Sequence, residues 1–232
     1  MTVVAIHQPN YLPWIGYFAK ALRSDVLILL DTVQFPKRSY VNRVQVKSRR
    51  GAEWLTQPVL TAGRYEQRIA DVEFAEPDWG LAHARTLRAN YGRAPFFQAH
   101  FQRLADILLS PGDSLTACNE RLIHVICELL ELRTQVVRAS ALGVDAAGAT
   151  SRLIRLVQAV GGETYISGSG GFAYQDLSAF EAAGLRVVRA PATFAEYPQL
   201  WDGFVPGLSI VDLLFNCGPR SRSYLEVACG AA

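Results

Sequence analysis

A lone histidine, a strand-end carboxylate and a cluster of cations lie within the first fifty residues. His7 stands in the run Ile6-His7-Gln8-Pro9-Asn10-Tyr11-Leu12-Pro13-Trp14-Ile15-Gly16-Tyr17-Phe18. Asp31 opens a second run, Asp31-Thr32-Val33-Gln34-Phe35-Pro36-Lys37-Arg38-Ser39-Tyr40-Val41-Asn42-Arg43. His7 is a candidate general acid or base, or a donor to a phosphate or carboxylate oxygen. A lone histidine is more often a structural hydrogen-bonding residue, but a position directly after a strand argues for function. Asp31 could orient His7, accept from a sugar hydroxyl, or merely cap a turn. Lys37 and Arg38 are expected to hold a phosphate or carboxylate and to steady charge that develops in a transition state. His7, Asp31, Lys37 and Arg38 are therefore the candidate catalytic set.

The candidate binding set is wider. Between Asp31 and Arg50 there are six Lys or Arg and one acid. A charge run is usually a solvated face. Here the cations alternate with Tyr40, Val41, Val44 and Val46, which puts Arg43 and Lys47 on one face of a strand whose other face is buried. Gln8, Asn10, Gln34, Tyr40 and Asn42 supply polar contacts beside them, while Tyr11 and Trp14 could stack on a sugar or a base. Ser167-Gly168-Ser169-Gly170-Gly171 follows another strand and could cradle an anion with its N–H groups. It lacks the full GxGxxG register and the P-loop lysine, so the signal is weak alone. Tyr174 and Asp176 follow and could read hydroxyls. Asn216, in Asn216-Cys217-Gly218-Pro219, completes the set at the end of an apolar helix, where Cys217 reads as a helix end. His83, His100 and His124 fall in helical segments and read as structural.

These residues need elements to position them. Thr2 to Ile6 and Val26 to Leu30 are apolar runs suited to strands covered on both faces. The helical spacing of Trp14, Tyr17, Phe18, Ala21 and Leu22 connects them as a parallel crossover unit. Shorter alternating pieces around Ser48-Arg49-Arg50-Gly51 predict an antiparallel hairpin, and 64–74 a further strand. Asp78 to Asn90, Ala94 to Leu109, and Ser114 to Leu132 predict helices. Ser151 is expected to cap a helix to Val160. Thr164 to Ser167 and Leu185 to Val188 are expected to be strands, with Leu177 to Ala183 helical and Ser209 capping the last apolar helix. The expected fold is thus α/β, a mostly parallel Rossmann-like sheet with a small hairpin. A single domain is expected over 1–232, with a helical subregion at about 78–145 across one sheet edge. His7, Asp31 and Gly168 to Gly171 should meet at one carboxyl rim.

Composition narrows the classes. Of 232 residues, 50% are apolar and 19% charged, with a net charge of +2. That is the balance of a globular protein with a sizeable core. It predicts neither a nucleic-acid binder nor a membrane-surface protein. There is no run of eighteen apolar residues and no signal-peptide pattern, so a cytoplasmic location without membrane partners is expected. Cys118, Cys127, Cys217 and Cys229 form no CxxC pair and no metal-ligand spacing, so reduced thiols and no metal site are expected.

The two N-terminal runs, with Trp54-Leu55-Thr56, Pro58-Val59, Tyr165-Ile166-Ser167-Gly168, Glu196-Tyr197-Pro198-Gln199-Leu200 and Leu208 to Pro219, resemble the WbqC-like protein family in the same order. The loosest stretch is 78–145. The resemblance implies a gene set for bacterial O-antigen or natural-product biosynthesis, and a transferase that adds glycine or a similar amino-acyl unit to an amino sugar. It implies no catalytic residues. A weaker likeness is to nucleotidyltransferase-like α/β folds, but the paired histidines of an HxGH are missing. Three functions follow as expectations: amide-forming amino-acyl transfer, nucleotidyl transfer or ATP-dependent carboxylate activation, and non-catalytic binding of a sugar nucleotide or carrier. The acyl donor is open among an adenylate, a carrier thioester, an aminoacyl-tRNA (the one nucleic-acid partner allowed) and a free amino acid used with ATP.

Overall fold

The computed structural model describes residues 1–168, 175–190 and 193–229. Five parallel strands form the central sheet: β1 (Val3–His7), β2 (Val26–Leu29), β5 (Gln135–Arg138), β6 (Thr164–Ser167) and β7 (Arg186–Arg189). Their order is β5-β2-β1-β6-β7. The chain winds outward from β1 through β2 to β5, then returns to place β6 on the other side of β1. This reversal makes the carboxyl end of the β1–β6 pair the topological switch point, where open α/β sheets form their binding crevice.

Alternation along the strands builds a core on each face. Ala5, Leu27 and Leu29 join one apolar cluster with Tyr17 and Phe18 of helix α1 (Ile15–Leu22), which also holds the helical region. Val4, Ile6, Val26 and Ile28 join the other, with Leu156 and Val157 of α5 (Ala149–Ala159) and Phe180 of α6 (Leu177–Ala182). Helices α2 (Trp79–Tyr91), α3 (Phe97–Leu109) and α4 (Leu115–Leu129) build the helical region. Next come α7 (Ile210–Cys217) and α8 (Ser221–Cys229), the latter packed along α1. β3 (Arg43–Ser48) and β4 (Gly51–Thr56) form the antiparallel hairpin, turning at Arg49-Arg50.

Several expectations change. The helical middle contains the edge strand β5, paired in register with β2 from Val26↔Gln135 to Leu29↔Arg138. The strand expected at 64–74 is instead a 3-10 turn, Ile69–Asp71, flanked by isolated bridges Gln34↔Arg68 and Val59↔Phe74. Ser151 does not cap α5: that helix begins at Ala149 behind Gly148 at φ 87°. Ser114 and Ser209 do cap, accepting from the Ala117 and Val211 amides. Among the described residues no helix is long and apolar enough to cross a membrane. Cys118, Cys127 and Cys217 are buried free thiols.

Candidate functional site

His7 ends β1 and points to the α1 face, where its ring lies 4.7 Å from that of Tyr17. Its Nδ1 faces the Gln8 carbonyl at 3.3 Å, the polar contact this ring makes. Burial, with the nearby Lys20 ammonium, pushes the imidazole down to about 3. It is therefore neutral at physiological pH, fit to accept or donate a hydrogen bond and a weak store for a proton.

Lys20 is the residue that the sequence did not single out. It sits in the last turn of α1, only 3% exposed, and Nζ donates to the Ile6 carbonyl at 2.7 Å. The direction of that carbonyl follows from the ladder. His7 and Val3 carbonyls accept from Leu30 and Asp25 on the β2 side, whereas the Thr2 carbonyl accepts from Glu163 and Thr164 on the β6 side. Alternation turns Ile6 towards β6. The β1–β6 register stops at Ala5↔Ile166, so the lysine takes the next carbonyl, just where the two strands part. Among the described residues no acid pairs with it, and burial pushes the amine down to about 7. A drop of that size corresponds to roughly 5 kcal/mol, whereas one hydrogen bond from a charged donor contributes about 1.5–3 kcal/mol. Folding alone gives no reason to keep a lysine there. On the same helix the Tyr17 hydroxyl is buried with no hydrogen-bond partner, its acidity suppressed first by burial.

Asp31 lies at the same rim but serves another neighbour. It is fully buried, Oδ1 accepts from the Ser140 amide at 2.9 Å, and Oδ2 from the Ser140 hydroxyl at 2.6 Å. Its carboxylate caps the turn after β5, which corrects the expectation that it orients His7. Tyr11, also fully buried, closes a 2.8 Å hydrogen bond with His83 and packs edge-on to Trp79; it is not open for stacking. Lys47 departs from the expected cationic row as well. The segment 193–208 covers it, and its Nζ donates to the carbonyls of Trp201 and Gly203. Asn42 donates to the Gln57 carbonyl and Asn216 to that of Asp212, both buried. Ser167 donates to Gln175, and Asp176 caps α6 through Ser178 and Ala179. Asn10 is buried and Gln8 half-buried, its carbonyl accepting from the Asn10 amide. Gly168 faces open space at the rim; Ser169, Gly170 and Tyr174 lie outside the described residues.

Trp14 does line a cavity. Its indole lies flat over Gly16, where a Cβ would come within 2.4 Å of the ring, so the helix start requires glycine. The exposed side of the ring meets Phe194 edge-on and forms a wall of a cavity of about 390 Å³ with Ile15, Tyr197, Phe204 and Leu208. Behind Tyr197 lies Asp212, fully buried in the first turn of α7, with the Tyr197 and Tyr91 hydroxyls facing its carboxylate. Burial pushes its carboxyl up to about 6, while the Tyr197 and Tyr91 hydroxyls and Lys47 hold it back. The sequence reading passed over Asp212, although an acid amid Ile210, Val211, Leu213 and Leu214 was a visible anomaly.

The remaining candidates lie on the β3–β4 hairpin and the loop before it. Gln34 donates to the Tyr65 carbonyl, Lys37 lies over the Tyr65 ring, and Arg43 over that of Trp54. Arg38 is exposed at φ 55°. Tyr40 packs beside Trp54, and its carbonyl accepts from the Tyr11 amide at 3.0 Å. Asn119 of α4 clips the rim loops together, donating to the Pro9 and Val41 carbonyls and accepting from Gln57. Among the described residues no three His, Cys, Asp or Glu side chains are grouped to hold a metal ion.

An uncharacterized protein of Mycobacterium tuberculosis is 37% identical over 97% of this chain and 98% of its own length. No solved structure matches. The WbqC-like protein family matches residues 8–224, from the loop after β1 into α8. The chain belongs to that family.

Proposed function

We propose that this protein is a transferase of bacterial glycan or natural-product assembly, joining a glycyl or similar amino-acyl group to an amine such as that of an amino sugar. The observation that carries this reading is Lys20, an amine without an acid partner, buried at the switch point beside a neutral imidazole. The acceptor nitrogen attacks the acyl carbonyl, the new C–N bond forms, and the bond to the donor breaks. His7 accepts a hydrogen bond from the attacking amine and orients it. Lys20, whose amine titrates near the working pH, takes the proton that the nitrogen loses and returns it to the leaving group. A base matched to neutral pH suits this role better than an imidazole held near 3. The aromatic cavity beside Trp14 offers the acceptor's ring a wall.

The test is to incubate the purified protein with a sugar nucleotide bearing a free amine. Glycine is supplied in turn with ATP, as a thioester, and as glycyl-tRNA. Mass spectrometry should find one glycyl residue added with one donor, and Lys20→Met should lose it. No addition with any donor, or an unimpaired Lys20→Met, overturns the proposal.

A further inference from the structure

Charge is distributed unevenly along this chain. The twenty residues 31–50 hold six Lys or Arg and one acid, a net +5, while the other 212 hold seventeen and twenty, a net −3. A near-neutral total conceals one basic segment. The aromatics are segregated too. Among the described residues, the exposed Phe, Tyr and Trp side chains are Tyr40 at 47%, Trp54 at 43% and Tyr65 at 69%, all on or against this segment. Arg43 caps the Trp54 ring at 4.3 Å, with Tyr40 on the ring's flank, and Lys37 stands 5.2 Å over Tyr65. Arg64 and Arg68 nearby are taken by Glu73 and Asp71, but among the described residues Lys37, Arg38 and Arg43 form no salt bridge.

We propose that this face, the outer side of the β3–β4 hairpin with Tyr40 and the Lys37–Tyr65 pair, binds single-stranded nucleic acid. Exposed rings interleaved with cations suit a flexible polyanion whose bases present flat faces and whose phosphates follow in a row. The shape argues against a free nucleotide. The cleft between Gln34, Phe35, Lys37 and Tyr65 measures about 240 Å³, below the ~300–1,000 Å³ of cavities that enclose small ligands. The Tyr40 carbonyl is bonded to the Tyr11 amide, so the platform abuts the loop that follows His7. A strand lying on it could deliver its terminus to the switch-point crevice. The inference deepens the proposed function by naming the class of amino-acyl donor, an RNA with a single-stranded acylated end. It stands separately as a binding claim. Transfer from another donor would survive its failure, and strand binding would survive a failure of transfer.

The experiment is fluorescence anisotropy on the full chain with a labelled oligoadenylate of about ten nucleotides, within the span of one single-strand site. RNA is compared with its duplex, and ATP is the competitor. The expected result is single-strand binding that the duplex does not match and that equimolar ATP does not displace. Three cations predict a slope of log K against log salt of about −2, at roughly −0.7 per phosphate neutralised. Trp54→Ala and Arg43→Ala should each weaken binding on the order of tenfold, the loss of about one stacked base. Lys37→Ala with Arg38→Ala should flatten the slope by about 1.4. All are surface changes, and circular dichroism should show an unaltered fold. No binding at low salt, binding indifferent to Trp54, or equal displacement by ATP overturns the proposal.

Discussion

The sheet's switch point and the hairpin's outer face handle positive charge in opposite ways. Lys20 is shut away from water with one carbonyl oxygen and no acid. Lys37 and Arg43 remain at the surface, each laid across an aromatic ring. The inner site is costly to fold and sets a proton affinity; the outer site costs little and sets an electrostatic field. Salt separates them, because interactions of exposed charges are largely screened beyond roughly 8–10 Å, whereas those of buried charges are screened much less. The two regions are joined where the Tyr11 amide donates to the Tyr40 carbonyl.

The comparison breaks first at Lys20. Lys20→Met should lower turnover about 10²–10⁴-fold yet raise stability at pH 7 by about 2 kcal/mol, the burial cost recovered less the hydrogen bond lost. Denaturant titration beside a transfer assay reads both, and an active or less stable variant refutes the assignment. The gain has a pH window. With the folded amine near 7 and the unfolded one near 10.5, the unfolded chain binds more protons between those values. Wild-type stability therefore rises with pH across that window, and its deficit against Lys20→Met closes above it.

A second buried charge sharpens the contrast. The Asp212 carboxyl is raised to about 6 in the folded protein, so the native state holds the extra proton between the ordinary carboxyl range and 6. Its stability should fall as pH rises through that interval. Measured against Asp212→Asn, wild type should lose about 2 kcal/mol between pH 4 and pH 7. A pH-independent difference would show that Tyr91, Tyr197 and Lys47 fully compensate the charge. The smallest effect belongs to the outer face. Arg43→Ala and Lys37→Ala should each alter stability by no more than about 0.5 kcal/mol, and a larger change would mean that these cations hold the fold.

Much of this was legible in the sequence, and what was missed shares one cause. The strands β1, β2 and β6 appear as apolar runs ended by turn signals, and their common carboxyl rim follows from parallel order. β5 was hidden because Gln135-Val136-Val137-Arg138 is too short and polar at its ends to have a period of its own; only the exposed edge of β2 makes it a strand. Asp31 was rightly placed at the rim, but sequence does not say which neighbour a strand-end acid serves, and Ser140 lies 109 residues away. Lys47 alternates with Val44 and Val46 like a solvent-facing residue until the segment around Trp201 covers it. Lys20 falls outside the apolar spacing of Trp14, Tyr17, Phe18, Ala21 and Leu22 that marks the helix. Its signal was the spacing to Tyr17, three residues back on one face, which carries it towards the sheet.

The strand order also bears on how the chain is made. β2 leaves the ribosome early, yet its outer neighbour begins at Gln135 and the partner on β1's far side at Thr164. At about 5–20 residues per second, β2 waits on the order of 5–20 s with an open apolar edge. The nascent N-terminal third therefore presents two unsatisfied backbone ladders, a template for intermolecular pairing. A chaperone that shields that segment until the helical region has emerged should raise the yield of folded protein.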